Sequence, residues 1–484
     1  MNYYVTTSIP YVNGDPHLGH AMEFVMADVL ARYARQRGDT VIFSSGADEH
    51  GSKNAAKAAS LGLTPKAFVD QTSQTFVSLL KQLNVSNDRF IRTTDKAHEQ
   101  RVQIIWQKLA PDIYKGKYSG WYDVKQEEFV SDAQADKERM KPDHPKAYQR
   151  LEEDNYFFKL SKYTDQVAQA IKAGTLNVIP ETKKNEVLSL LKSGLDDISI
   201  SRPKDKEPWG IPVPGDDTQV IYVWFEALMN YITVLGYPEN ADFKSFWPAD
   251  VQVIGKDILR FHAAIWPAML LSLGLPLPKV VYAHGFINID GQTMSKSAGN
   301  GISPAEIINY YGVDAFRYFF LRHIPSYNDG DFSWKSFHEA YSSELANQLG
   351  NAVQRTAAMI QRYQNGMIGS MPASQHDIAA YQEAVANCQF DRALDEIWQQ
   401  VRGLNQYIDE EKPWSLAKDK DNDHLQEVLA YQASCLVEIA NMLEPFLPQT
   451  ATKINYVFEK GVARPLSETL FPKKEPPVSI KPDS

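Results

Sequence analysis

Cysteine is nearly absent: the 484 residues contain two, Cys388 and Cys435, far apart in the chain. Two distant thiols build neither a disulfide framework nor a cysteine-only zinc knuckle, and they fit a reducing, cytoplasmic setting. Long apolar runs are lacking too. The most apolar stretch, Ala263 to Pro278, is broken by Pro267, Gly274 and Pro276 and is too short to span a bilayer, so it reads as a buried helix followed by a turn. The opening MNYYVTTSIP has neither the basic start nor the apolar segment of a secretory signal. Excess positive charge is missing as well. The formal net charge is −10, which argues against holding polyanions by bulk charge but leaves room for a local basic groove.

What is present is a soluble globular composition, 43% hydrophobic and 23% charged, in a chain long enough for two or three domains. Tyr3 to Ile9 reads as a strand. After a turn of Asn, Gly, Asp and Pro, Leu18, Met22, Val25, Val29 and Tyr33 recur at steps of three and four, the spacing of an amphipathic helix. Gly38 stops it, and Thr40 to Ser45 makes a second strand, completing a β-α-β unit with a parallel, right-handed connection. From Tyr114 to about Gln219 the chain is polar, without clean alternation, and reads as an insertion. Sheet-like patterning resumes at Val220–Phe225, Val251–Gly255 and Lys279–Phe286. From Ser303 on, the pattern is helical: Ser303-Pro304-Ala305-Glu306 is a capping box with Pro at the first helical position. Two long amphipathic helices follow, one carrying Phe390 to Ile408 and one Leu425 to Leu443, as in an antiparallel bundle. Residues 473–484 read as a disordered tail. The fold class expected is α/β: a Rossmann-like parallel sheet split by an insertion (1–113 and 220–289 around 114–219), then an all-α bundle (345–472).

Ligands of open parallel sheets bind beyond the carboxyl ends of the strands. His17 and His20 fall there, on the opening turn of the first helix, where free N–H groups and the helix dipole favour anions. Gly14 and Gly19 remove bulk where a nucleotide would approach. The same histidines also suit simple capping of the helix. Gly46-Ala47-Asp48-Glu49-His50-Gly51 closes the second strand at the same edge, so Asp48 and His50 face the same region, Asp48 as a partner for an ammonium or as a turn residue. Taken with His17 and His20, these residues fit either a divalent metal site or a phosphate-plus-amine site, and spacing does not decide between them. A distal loop, Asp290 to Asn300, presents one lysine among Ser, Gly and Asn, as a loop that offers a cation to an anion does.

His17-Leu18-Gly19-His20 together with Met294-Ser295-Lys296-Ser297 resembles the two signature motifs of the class I aminoacyl-tRNA synthetases. The chain resembles the methionyl branch of that family along nearly its whole length. Supporting segments are SIPYVNGDPHLGH, GADEHG, ISISRP, WGIPVPGDDTQVIYVWFEAL, VIGKDILRFHAAIWPAML, AHGFI, MSKSAGN and Lys412-Pro413-Trp414. The resemblance implies activation of methionine by ATP, with release of pyrophosphate and transfer to the terminal adenosine of tRNA(Met). No protein nucleophile is needed, since the methionine carboxylate attacks directly, and positioning and electrostatic stabilisation do the rest. It implies that His17 and His20 stabilise charge on the α-phosphate, that Lys296 holds the leaving pyrophosphate, and that Mg²⁺ accompanies ATP without a protein-only cage. The ATP contacts it implies are His17, Gly19, His20, Gly255, Lys256, Asp257, Met294, Ser295, Lys296 and Ser297. The methionine pocket it implies draws on Ser8, Ile9, Tyr11, Asp48, Trp224, Ala227, Tyr231, Ile258 and His262, with Asp48 on the ammonium and Tyr11, Trp224 and Ile258 around the thioether. Asn351, Arg355 and Trp414 match the positions that read the CAU anticodon by stacking and edge contacts, and 290–344 becomes a signature-loop and stem-contact region.

The chain departs from the family in two places. The first lysine of the second signature is Thr293 here, so the loop has one less positive charge, which also suits a catalytically silent tRNA-binding relative. The insertion, where many relatives hold zinc on cysteine pairs, has Gly120 to Gln126 and no cysteine, so no structural zinc is expected. The chain ends soon after the bundle, without the appended tRNA-binding and dimerising domain of some relatives, so a monomer is expected, and no large editing domain fits, which separates it from the leucyl, isoleucyl and valyl enzymes.

Overall fold

The computed structural model describes residues 1–123, 128–130, 135, 148–293, 301–372, 377–466 and 468–476. The opening unit forms as the periodicities require. Strand β1 (Asn2–Thr7) is buried from Tyr4 onward, helix α1 spans Leu18–Gln36, and β2 (Thr40–Ala47) pairs parallel with β1. Gly38, at φ +86°, makes the left-handed turn between them. Helices α2 (Ser52–Ser60) and α3 (Pro65–Gln82), edge strand β3 (Arg89–Arg92) and helix α4 (Lys96–Leu109) follow.

The central sheet has six parallel strands in the order β3, β2, β1, Val251–Gly255, Val280–His284, Asn177–Ile179. Chain order reverses between β1 and Val251–Gly255, which makes the crevice beyond their carboxyl ends the topological switch point. All five residues of Val251–Gly255 are buried, as expected of a strand covered on both faces. Val5, Val251 and Val253 face one core, whereas Tyr4, Ile254 and Val281 face the other.

Two sequence expectations change here. Asn177–Ile179 belongs to the central sheet although it lies within the stretch read as the insertion. Val220–Phe225 is not a central strand: Asp216–Ile221 pairs with Ser201–Pro203 and Pro212–Val213 in a small antiparallel sheet, and Val223–Ala227 is helical. An unbroken apolar run satisfies either state, and here the strand ends at Ile221, with Tyr222, in extended conformation, as the N-cap of the helix. The insertion also carries a four-stranded sheet built on the long pair Ile113–Asp123 and Tyr148–Phe158, and the helices Thr164–Lys172 and Glu181–Lys192.

The helical region comprises Asn351–Gln364, Phe390–Glu411, Asn422–Leu443 and Pro448–Val457, with Leu394, Ile397, Val401, Leu429 and Leu436 in its core. Ser303 is the N-cap of Pro304–Tyr311, but its hydroxyl makes no capping hydrogen bond, so the capping box predicted there does not form. The tail reading also changes for residues 473–476: Tyr310 Oη donates to the Glu475 carbonyl (2.7 Å) and the Lys474 ammonium lies over the Tyr310 ring, tying this segment down. Residues 477–484 lie outside the described residues.

A buried ionic hub joins the sheet domain to the bundle. Asp28 of α1 pairs with Arg317 (2.7 Å) and Arg32 (2.7 Å) and accepts from Ser86 N (2.7 Å) and Oγ (2.6 Å). Arg317, fully buried, also donates to the carbonyls of Leu83, Pro445 and Phe446, so every guanidinium nitrogen is used. Among the described residues no helix is long and apolar enough to cross a membrane.

Candidate active site

His17 is the N-cap of α1 and His20 its third helical residue, so both capping and ligand roles are open to them. The rings stack with centroids 3.7 Å apart, and His20 packs edge-on against Phe76. The His17 backbone N–H donates to His20 Nδ1 (3.3 Å), which in the neutral ring leaves the proton on Nε2, a donor. Gly19 is what allows this: a Cβ there would meet the His17 ring at 3.1 Å. Beside the pair lies a cleft of 670 Å³, bounded by Asp15 and His17, by Thr75 and Ser78 of α3, and by residues 301–305. Those last residues follow the second motif in the chain. Met294, Ser295, Lys296 and Ser297 themselves lie outside the described residues.

The residues expected around methionine stand on four segments at the sheet's carboxyl edge. Tyr11 bridges to Asp48, with Asp48 N donating to the Pro10 carbonyl (2.8 Å) and Val12 N to the Asp48 carbonyl (3.1 Å). Gly51, at φ +97°, lies under the Tyr11 hydroxyl, and any side chain there would strike it. Ile9 packs over Gly46. Trp224 stacks on Phe261 (4.2 Å, 14°), Trp224, Ile258 and Tyr11 border the same apolar layer, and Ala227 is buried. Phe261–Ile265 is a π-helical turn, a distortion frequent at functional sites, and it carries His262. His262 Nδ1 donates to the Ile258 carbonyl (3.0 Å), so Nε2 accepts from Tyr231 Oη (2.7 Å). Burial pushes the His262 imidazole down to about 4 and the Tyr231 phenol well up, so both are neutral near pH 7.

The structure adds partners that sequence reasoning missed. Glu23, on the buried face of α1, accepts from Ser8 N (2.7 Å) and Ser8 Oγ (2.6 Å) with one oxygen and pairs with His284 Nε2 (3.0 Å) through the other. Burial opposes charge on His284, but the Glu23 carboxylate outweighs it and the pKa is raised. A carboxylate inside an amphipathic helix carries no sequence signal of its own. Lys256, following Gly255, is held by both oxygens of Asp329 (2.7 Å each) and lies over the Phe286 ring, and Asp257 follows in the same 3₁₀ turn.

His50 does not face the cleft as expected. It is buried and its Nδ1 lies 2.8 Å from Glu226. Among the described residues no group of three His, Cys, Asp or Glu is arranged to hold a metal ion.

In the bundle, the Arg355 guanidinium lies 5.5 Å over the exposed Trp414 ring and pairs with Asp409 (3.3 Å). Asn351, exposed, sits one turn before Arg355 on the same helix. The three residues thus share one surface, where an indole and a guanidinium plane offer stacking to splayed bases.

Residues 3–147 and 144–357 match the family described as tRNA synthetases class I (M). The chain is 43% identical over 469 residues to the methionine–tRNA ligase of Caldanaerobacter subterraneus subsp. tengcongensis, covering 93% of this chain and 73% of that one. It is 41% identical to the methionine–tRNA ligase of Rickettsia bellii, covering 93% and 91%. Among solved structures, the methionyl-tRNA synthetase of Mycobacterium tuberculosis in complex with methionyl-adenylate superposes with a TM-score of 0.91 at 36% identity, covering 98% of this chain and 100% of that one. With a switch-point site built from both sides of β1 and matches that run through sheet, insertion and bundle alike, the chain belongs to the class I tRNA synthetases of the methionine–tRNA ligase family.

Proposed function

We propose that this protein activates L-methionine with ATP, forming methionyl-adenylate and pyrophosphate, and then transfers the methionyl group to the 3′-terminal adenosine of tRNA(Met). The observation that carries this reading is the convergence at one sheet edge of the stacked His17–His20 pair and the neutral Tyr231–His262 pair, one suited to phosphate and the other to an uncharged side chain. The methionine carboxylate attacks the α-phosphorus, and the pyrophosphate oxygen leaves with the electron pair. His20 Nε2–H and the N-terminus of α1 act on the charge that grows at the α-phosphate, where preorganised donors contribute most. Lys296 draws off the pyrophosphate. Lys256 and Asp257 approach the nucleotide from the next strand, and Mg²⁺ arrives with the phosphates as part of the substrate.

Asp48 pairs with the methionine ammonium, Tyr11, Trp224 and Ile258 enclose the thioether, and Tyr231 with His262 closes the pocket. Asn351, Arg355 and Trp414 read the CAU anticodon, and the protein acts as a monomer. Glu23 fixes Ser8, so the backbone that leaves β1 is held rigid between the two substrates. The test is a single-turnover experiment. Protein mixed with labelled methionine and ATP is passed through a sizing column, and the bound label is chased with tRNA(Met). Label that co-elutes as adenylate and moves to tRNA is the expected result; label that never becomes protein-bound contradicts the reading.

A further inference from the structure

The reaction as described gives no task to one fully buried carboxylate beside the site. Glu226 lies on the 223–227 helix between Trp224 and Ala227 and is 0% exposed. Each of its oxygens meets a different imidazole: Oε1 is 2.8 Å from His50 Nδ1, and Oε2 is 2.8 Å from His98 Nε2. His98, on α4, continues through Nδ1 to Thr233 Oγ1 (2.8 Å). Both histidines are buried. A carboxylate in such a place is retained only if it is fully paired and hydrogen-bonded, and here both oxygens are.

The charged neighbours of His50 are Glu226, Glu99 of α4 (3.6 Å from Nε2) and Asp48, and the Trp209 ring lies beside it. Burial works against a charge on His50, but the Glu226 carboxylate outweighs it and holds the imidazole up to about 10. The tie is therefore an ion pair at neutral pH.

Its position gives it a task. His50 is two residues beyond Asp48, in a turn whose backbone is held by Pro10, Val12 and Trp209. Glu226 is two residues beyond Trp224. The ion pair is a direct side-chain link between the segment carrying the ammonium partner and the segment carrying the thioether wall. The distance between those two segments is the ruler against which an amino-acid side chain is measured. Pocket contacts separate substrates differing by one methylene by only about 10- to 200-fold, so selectivity depends on how rigidly that distance is kept.

We infer that Glu226 is a positioning residue for amino-acid selection, its carboxylate fixing the Asp48 turn against the Trp224–Ala227 helix through His50 and His98. The inference rests on the methionine site proposed above. Glu226→Gln removes the charge and leaves the amide to face an imidazole that needs an acceptor. Glu226→Asp keeps the charge but loses the reach to span both rings.

Methionine-dependent ATP–pyrophosphate exchange, with KM measured separately for methionine and ATP and with ethionine as the one-carbon-longer competitor, reads the effect. Both variants should raise the methionine KM about tenfold, the size of one hydrogen bond to a charged group, leave the ATP KM within about twofold, and narrow the methionine-to-ethionine preference. General destabilisation would not divide the two KM values in this way. Asp48→Asn is measured in parallel. If it raises the methionine KM while the Glu226 variants match wild type in both constants and in preference, the inference is overturned and the methionine site stands. If Asp48→Asn has no effect, the site reading fails and takes the inference with it. Should neither Glu226 variant fold, His50→Gln decides, because it removes the ion pair while leaving Glu226 bonded to His98: a raised methionine KM supports the tie, and an unchanged one overturns it.

Discussion

Replacing Tyr231 with Phe removes one oxygen from a fully buried ring and nothing else. That oxygen donates to His262 Nε2 at 2.7 Å, while Nδ1 is already committed to the Ile258 carbonyl at 3.0 Å. The imidazole cannot turn to find another partner without giving up the second bond, so Nε2 is left as an unpaired buried acceptor at a cost of about 1–3 kcal/mol. The same range should appear twice. In urea denaturation it is a loss of folding stability, and in ATP–pyrophosphate exchange it is a rise in the methionine KM of about 5- to 150-fold, to the extent that His262 orientation shapes the pocket. Burial also holds His262 down to about 4 from its ordinary 6.5. Between those values the unfolded chain takes up a proton that the folded chain refuses, so this group withdraws stability as pH falls, by up to about 3 kcal/mol when the lower value is reached. Within the folded enzyme the imidazole stays neutral, so the wild-type methionine KM should be flat from about pH 7.5 to 5.5. A Tyr231→Phe protein with wild-type stability and KM, or a wild-type KM that titrates near 6.5, would refute this account of the pocket.

Other consequences follow from the same contacts. Asp28→Asn leaves the Arg317 guanidinium buried without its counter-charge, which should lower stability in urea by about 3–5 kcal/mol and loosen the bundle from α1. His50 is held up to about 10, so its contribution to stability is complete below its ordinary 6.5 and declines as pH rises toward 10, by at most about 1.4 kcal/mol per pH unit. That alkaline slope should flatten in Glu226→Gln when stability is measured at a series of pH values. Trp414→Ala should weaken tRNA charging by about 1–3 kcal/mol, the worth of one stacked base, as read from the KM for tRNA in aminoacylation.

The first β-α-β unit was legible because its periods differ. Leu18, Met22, Val25 and Val29 repeat at helical spacing, and the flanking strands do not. Val251–Gly255 was equally plain as a β-branched-rich run ending in Gly, with Gln252 its one polar side chain. Asn177–Ile179 was not, because three residues at a sheet edge carry no alternation and sit between two helices that resemble the rest of the insertion. Val220–Phe225 misled because apolar runs do not reveal whether a turn interrupts them. At the site, residues set apart by chemistry in a loop or a helix start, such as His17, His20 and Asp48, could be picked out. Glu23 and Glu226 could not. Each lies on a helix among apolar neighbours, and its value comes from partners far away in the chain, His284 for one and His50 with His98 for the other. Thr293 ends a short strand, Gln292–Thr293, paired with Ile287–Ile289, so the departure from the family pattern falls on a strand residue immediately before the second motif in the chain.

The central claim is that one site at the sheet's switch point binds methionine and ATP together and joins them. The measurement that tests it most directly is ATP–pyrophosphate exchange by the purified protein with each of the standard amino acids in turn. The account predicts exchange that depends on methionine and is at least about a hundredfold weaker in kcat/KM with leucine, isoleucine, valine or cysteine. Exchange driven better by one of those, or none with any amino acid, would contradict it.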